Sequence, residues 1–143
     1  MVLVLSRGGF CPKERGQHEG LVQLHLELEA AYCGLITITI DNIIETIECR
    51  SGVGGRWPFL SGLRPFVQRD LDIAESTDHL YKPMISHTIV LEPGLVVYRS
   101  TTLWFLGRPT IEDFRQDLGA VLKKCRPDWE YHKFGSEYVA ARR

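Results

Sequence analysis

One cysteine in this chain stands where a protein can make a thiol reactive. Cys11 follows an aliphatic run and two glycines, Gly8 and Gly9, and it precedes Pro12. Proline is favoured in the first turn of a helix, so the thiol is expected at a helix N-terminus, where free N–H groups and partial positive charge favour a thiolate. The chemistry to expect is nucleophilic attack by sulfur. An inert cysteine buried in a turn is the alternative.

Charged residues around Cys11 are candidates to tune it. Arg7 and Arg15 would favour the thiolate, and Glu14 would orient an arginine through a charge-assisted hydrogen bond. His87, at the start of a later strand, is a further candidate for tuning the thiolate, or else an ordinary hydrogen-bonded or surface histidine.

The hydrophobic pattern places this cysteine between a strand and a helix. Residues 2–6 predict a buried strand, apolar positions at three- and four-residue spacing predict a helix over 12–31, and alternation predicts a second strand over 35–41. Two strands joined by a crossover helix pair in parallel. The remaining predicted elements are a short helix around 43–49, a packed aromatic segment over 57–60, a helix over 64–74, strands over 86–92 and 95–98 joined by a Pro93-Gly94 turn, and a helix that Thr110 caps and that ends near 125.

This order predicts an α/β fold. A parallel pair extended by an antiparallel hairpin gives a central mixed sheet flanked by helices, which is the thioredoxin-like plan. We expect residues 1–143 to form a single thioredoxin-like domain, with 126–143 as a C-terminal tail.

Composition limits the function. The formal net charge is -1, so nucleic acid is not an expected partner. No apolar stretch has the length of a signal-peptide core or a membrane span, and no membrane partner is predicted. Four cysteines without a disulfide or zinc spacing predict free thiols in the cytoplasm. His18 and His25 share a helix face without a third ligand, so neither a metal nor a cofactor is predicted.

Several segments together resemble the peroxiredoxin superfamily, in its alkyl hydroperoxide reductase/thiol-specific antioxidant (redoxin) branch. Residues 7–12 look like the Arg-Gly-x-x-Cys-Pro signature, and 11–14 like the Cys-Pro-x-Glu that follows the reactive cysteine. Residues 57–61 resemble the segment before the family's next helix, and 86–91 its later core strand. The likeness covers about residues 2–129.

The resemblance implies a thiol-dependent peroxidase. Cys11 would reduce hydrogen peroxide or an alkyl hydroperoxide by attacking the terminal oxygen, which leaves a sulfenic acid and releases water or an alcohol. Arg7, Glu14 and His87 would surround it. An external thiol, thioredoxin-like or of low molecular weight, would return the enzyme to its reduced form.

The chain departs from the family at positions around the cysteine. Val4 and Gly8 stand where other members have a proline and a threonine or serine, Ser86 stands at the usual cis-proline, and His87 stands where others have an arginine. These departures imply an alternative, a catalytically weakened redoxin that acts as a redox sensor or interaction protein. A disulfide reductase is a third reading, and it would need a second thiol that residues 11–14 do not contain.

The cysteine that resolves the sulfenic acid is left open by the sequence. Cys49, before a glycine loop, is the candidate for an intramolecular disulfide, and a packed, inert thiol is its alternative. Cys33 is expected in the core, and Cys125 would react only after rearrangement or across a dimer. A one-cysteine mechanism with an external thiol is equally open.

A homodimer is a further expectation. The chain starts directly in the cysteine-bearing strand, whereas the family usually has a segment before it, and an uncovered sheet edge invites pairing with another chain. The aromatic residues Trp104, Phe105 and Trp129 either serve such an interface or pack within the monomer.

Overall fold

A five-stranded mixed sheet forms the centre of the molecule. The computed structural model describes residues 1–62, 64–102, 108–128, 130, 137–138 and 140–142. Its strands are β1 (Val2–Ser6), β2 (Leu35–Thr39), β3 (Phe59–Ser61), β4 (His87–Leu91) and β5 (Val97–Thr101). Its longer helices are α1 (Pro12–Ala30), α2 (Ile43–Val53), α3 (Phe66–Asp70) and α4 (Ile111–Cys125), and a 3-10 turn (Pro93–Leu95) joins β4 to β5.

The strand order is β3-β2-β1-β4-β5, with β1, the strand that leads to the Cys11 loop, in the middle. Strand β1 pairs in parallel with β2 and antiparallel with β4, whose residue His87 lies opposite Leu5. The ends of β1 and β2 therefore meet the start of β4 at one edge of the sheet. The loop that carries Cys11 lies at that edge.

Alternation along β1 supplies both layers of the core. Val2 and Val4 pack with α1 and α4, where Leu24 and Phe114 are also buried. Leu3 and Leu5 pack on the other face against Ile73 and its neighbours. Each fully buried aliphatic side chain contributes about 1.5 to 3 kcal/mol to folding, so side chains buried on both faces hold β1 in place at the centre of the sheet.

The α/β fold and the mixed sheet are confirmed, and several local predictions are wrong. The short helix predicted around 43–49 extends as α2 to Val53, so Cys49 lies inside it, and the strand predicted over 35–41 ends at Thr39. Residues 59–61, at the end of the predicted aromatic segment, form a short strand parallel to β2. The strand was not predicted because three residues are too few to show an alternating pattern. Helix α3 ends at Asp70, before Asp72 with its φ of 53°. Strand β5 begins at Val97, because Leu95, with a φ of 62°, still belongs to the turn.

Across the described ranges, no helix combines the length and the apolar character that crossing a membrane requires. The aromatic residues Trp104, Phe105 and Trp129, predicted to serve an interface or the monomer core, lie outside the described residues.

Candidate active site

Cys11 is the N-cap residue of α1, as the proline after it predicts. Its carbonyl oxygen accepts hydrogen bonds from the amides of Glu14 and Arg15 at 3.1 and 3.2 Å, and its own amide donates to the carbonyl of Gly8 at 3.2 Å. The thiol is half-buried. The sulfur therefore belongs to the residue at the N-terminus of a 19-residue helix, which is the positive end of the helix dipole.

The loop before Cys11 is fixed by Asp41, which lies two residues after the end of β2. One Asp41 carboxylate oxygen, Oδ2, accepts from the amide of Gly9 at 2.7 Å and from the hydroxyl of Thr39 at 2.7 Å. Gly8 has a φ of 118°, and a Cβ placed on it would lie 2.6 Å from the other oxygen, Oδ1. Sequence reasoning missed Asp41, although an acid at the end of a parallel strand was a usable signal.

A buried ion pair lies below the first turn of α1. Glu14 is 1% exposed, and its Oε1 accepts from Nε of Arg108 at 3.0 Å and from Nη2 of the same guanidinium. The Arg108 side chain is only 9% exposed. Glu14 thus does orient an arginine, but one that is 94 residues away, which no local sequence pattern reveals.

Arg7 and His87 make contacts away from α1. Nη1 of Arg7 lies 2.7 Å from a carboxylate oxygen of Glu75, and Nη2 lies 3.7 Å from Asp78. His87, opposite Leu5, lies on the sheet face away from α1, and its Nδ1 is 2.8 Å from the carbonyl oxygen of Ile85. Roles for these two residues at the thiol stay predictions.

Cys49, on α2, lies beside the Cys11 loop. A Cβ placed on Gly9 would be 3.6 Å from the Cys49 Sγ. Burial raises the pKa of the Cys49 thiol, the Asp41 and Glu14 carboxylates raise it further, and Arg15 opposes them. Cys49 is therefore a neutral thiol at rest, and it lies beside Gly9, which precedes Cys11 by two residues.

The other two cysteines lie at the opposite end of the sheet. Cys33 is half-buried before β2, and burial raises its pKa, while Cys125 is exposed at the end of α4. Both line one cleft of about 380 Å³, together with Met1 and Leu95. Neither thiol reaches the Cys11 loop from there without rearrangement.

Polar side chains hold α1 against the sheet below the site. Gln17 donates to the Thr88 hydroxyl at 2.7 Å, and Trp57 donates through Nε1 to the Thr37 hydroxyl at 3.0 Å. His18 lies 3.4 Å from that same hydroxyl, and burial lowers its pKa, so the ring is neutral at pH 7. Within the described chain, no cluster of three or more histidine, cysteine or acidic side chains is placed to bind a metal.

Asp41→Asn is expected to make Cys49 more acidic while the acceptor for the Gly9 amide is kept. Because the Asp41 charge raises the Cys49 pKa, its removal lowers that pKa and increases the thiolate fraction at neutral pH. The pH profile of Cys49 alkylation, followed by peptide mass spectrometry, should shift to lower pH in this variant. An Asp41→Asn profile that coincides with the wild type would contradict the assigned charge effect.

The fold corresponds to one structural class. No family model matches the chain, and no curated protein matches it. Among solved structures, it resembles a reduced peroxiredoxin in complex with hydrogen peroxide from Vibrio vulnificus (TM-score 0.72, 12% identity, 82% of this chain and 77% of that one). It also resembles the Mycobacterium tuberculosis proteins AhpC (0.73, 12%, 90% and 74%) and peroxidoxin BcpB (0.68, 16%, 87% and 80%).

These likenesses define a thioredoxin-like α/β fold. More particularly, the fold is similar to that of solved peroxiredoxin structures, the class of fold that the resemblance implied.

Proposed function

We propose that this protein is a thiol-dependent peroxidase in which Cys11 is the nucleophile. The observation that carries the proposal is the thiol at the N-terminus of α1, within a peroxiredoxin fold, on a loop that Asp41 holds. The Cys11 sulfur would attack the terminal oxygen of hydrogen peroxide or an alkyl hydroperoxide. An S–O bond forms as the O–O bond breaks, and the leaving oxygen takes a proton to become water or an alcohol.

The charged groups would stabilise the oxygens that carry developing charge. Arg108, held by Glu14 below the first helical turn, supports this role by its fixed position. Arg7 and His87 remain proposed contributors from the sheet side. Their described contacts with Glu75 and Ile85 mean that either would act by rotating toward the thiol or by fixing the surrounding loops.

Cys49 is the proposed resolving residue. Its sulfur would attack the Cys11 sulfenic acid, form a disulfide and release water. Its position beside Gly9 supports this assignment. A thioredoxin-like or low-molecular-weight thiol would then reduce the disulfide, or would reduce the sulfenic acid directly in a one-cysteine mechanism. We place this chemistry in the reducing cytoplasm and propose a homodimer as its assembled form.

A weakened redoxin that senses peroxide is the second candidate. It is favoured by Gly8, whose positive φ and closeness to Asp41 leave no room for the hydroxyl residue that active relatives are expected to carry there. Such a protein would be oxidised slowly and without recycling.

Mass spectrometry after one equivalent of hydrogen peroxide, with a sulfenic-acid trap, separates these candidates. The peroxidase predicts fast oxidation confined to Cys11 and then a disulfide to Cys49, and Cys11→Ser should abolish both. Cys125→Ser is the control, because that exposed thiol lies far from the site. Oxidation no faster than an ordinary thiol, or spread over all four cysteines, would reject the peroxidase.

A further inference from the structure

Three large apolar side chains remain exposed around the cleft beside Cys11. Phe10 and Tyr81 stack with their ring centroids 4.0 Å apart and their planes 10° apart, yet they are 39% and 49% exposed. The next residue to Tyr81, Leu80, is 79% exposed. Apolar side chains grouped in water beside a concave surface mark a place where an apolar ligand binds.

The segment that carries Leu80 and Tyr81 is held in place by several bonds. We call residues 75–83 the Tyr81 loop. The ion pair from Arg7 to Glu75 fixes its start, and the amide of Glu75 donates to the carbonyl of Pro83 at 2.9 Å, which closes it. At its tip, Oδ1 of Asp78 accepts from the amides of Leu80 and Tyr81 at 3.1 and 3.0 Å. The apolar wall is therefore built into the fold.

The cleft adjoins the Cys11 loop and is lined by the other thiol of the proposed reaction, Cys49. It has a volume of about 500 Å³, and Cys49 lines it. Phe10, directly before Cys11, forms part of its wall, and Arg15 lines it one turn further along α1. Gly9 and Phe10, the two residues before Cys11, both line the cleft, so the cleft lies next to the loop that carries the proposed nucleophile.

The charges of the cleft are mostly negative. The carboxylates of Asp41, Glu45 and Glu48 line it, whereas Arg15 is the cation among its described lining residues. A substrate with a carboxylate would meet repulsion here, and an uncharged one would not.

We infer that this cleft binds the organic group of the substrate, and that it selects uncharged hydroperoxides with a bulky apolar or aromatic group. Phe10, Leu80 and Tyr81 are the residues that determine this specificity. The inference rests on the proposed function, and it names the substrate class of that same site. After O–O cleavage the cleft would hold the alcohol, which must leave before Cys49 reaches the sulfenic acid.

Stopped-flow oxidation of Cys11 by three peroxides tests the inference. The probes are hydrogen peroxide, cumene hydroperoxide and the para-carboxylate of cumene hydroperoxide. In the wild type, we expect the uncharged cumene compound to react fastest of the three. In Leu80→Ser and Tyr81→Ser, the ratio of the cumene rate to the hydrogen peroxide rate should fall about tenfold, the effect of losing an apolar contact.

Matched variants separate the cleft from general effects. Leu95→Ser removes a similarly exposed leucine at the far end of the molecule and should keep the wild-type ratio. Glu48→Gln should raise the rate with the carboxylate compound about threefold relative to the uncharged one. Fast Cys11 oxidation with the same ratios in all variants would overturn the inference and leave the peroxidase standing. Slow oxidation of Cys11 by every peroxide would reject the peroxidase and, with it, the inference.

Discussion

Glu14→Gln is expected to destabilise the protein by about 3 to 5 kcal/mol, because it leaves the buried Arg108 guanidinium without this carboxylate. An ion pair with one partner removed loses its attraction, while the remaining charge stays out of water. Since Glu14 lies in the first turn after Cys11, we also expect slower oxidation of Cys11 in the surviving folded protein. Urea unfolding and stopped-flow oxidation measure the two effects separately.

Glu19→Gln is the matched control for this change. Glu19 lies on the same helix and pairs with Arg15, but both side chains are more than half exposed. Its loss should cost less than about 1 kcal/mol. The double variant Glu14→Gln/Arg108→Met should recover part of the lost stability, because it removes the buried charge as well. Equal costs for Glu14→Gln and Glu19→Gln would show that the Glu14 pair is not buried.

Gly8→Ala should both destabilise the protein and slow Cys11. The φ of 118° is unfavourable for alanine, and the new Cβ would lie 2.6 Å from Oδ1 of Asp41. We expect a loss of about 2 kcal/mol. Displacement of Asp41 would also break its hydrogen bond from the Gly9 amide, and with it the support of the Cys11 loop. Thermal unfolding and the rate of Cys11 oxidation by hydrogen peroxide report on these two effects.

The same substitution at Gly16, Gly16→Ala, is expected to stabilise the protein. Gly16 lies inside α1, and a Cβ there would meet no atom within 4 Å. Alanine is the better helix former, so this variant should gain about 0.5 to 1 kcal/mol. If Gly8→Ala proved as stable and as reactive as Gly16→Ala, the loop would not depend on the left-handed glycine.

Local signals in the sequence were sufficient for much of the fold. The run of β1, the Pro12 start of α1 and the Thr110 cap of α4 are each encoded by adjacent residues, and each was predicted close to its observed bounds. Strand β3 was not predicted, because its three residues form a strand only through pairing with β2. The early end of α3 at Asp70 likewise reflects tertiary context.

The candidate site was predictable only in part, for a related reason. Cys11 and Glu14 lie at the start of one helix, so spacing alone could group them. Arg108 and Tyr81 come from distant parts of the chain that no local pattern connects to Cys11, whereas Asp41 carried a usable signal as an acid at the end of a parallel strand. Arg7 is an example of the opposite error: it is close to Cys11 in sequence, but its guanidinium pairs with Glu75 instead.

The central place of β1 in the sheet has a consequence for slow opening motions. Strand β1 has hydrogen-bonded neighbours on both sides, and Val2 and Val4 are fully buried, whereas β5 pairs on one side and is largely exposed. Amide hydrogen exchange should therefore be slowest in β1, which opens only when the whole domain unfolds, and fast in β5. Partial unfolding that begins at β5 would therefore leave the strand that leads to the Cys11 loop intact.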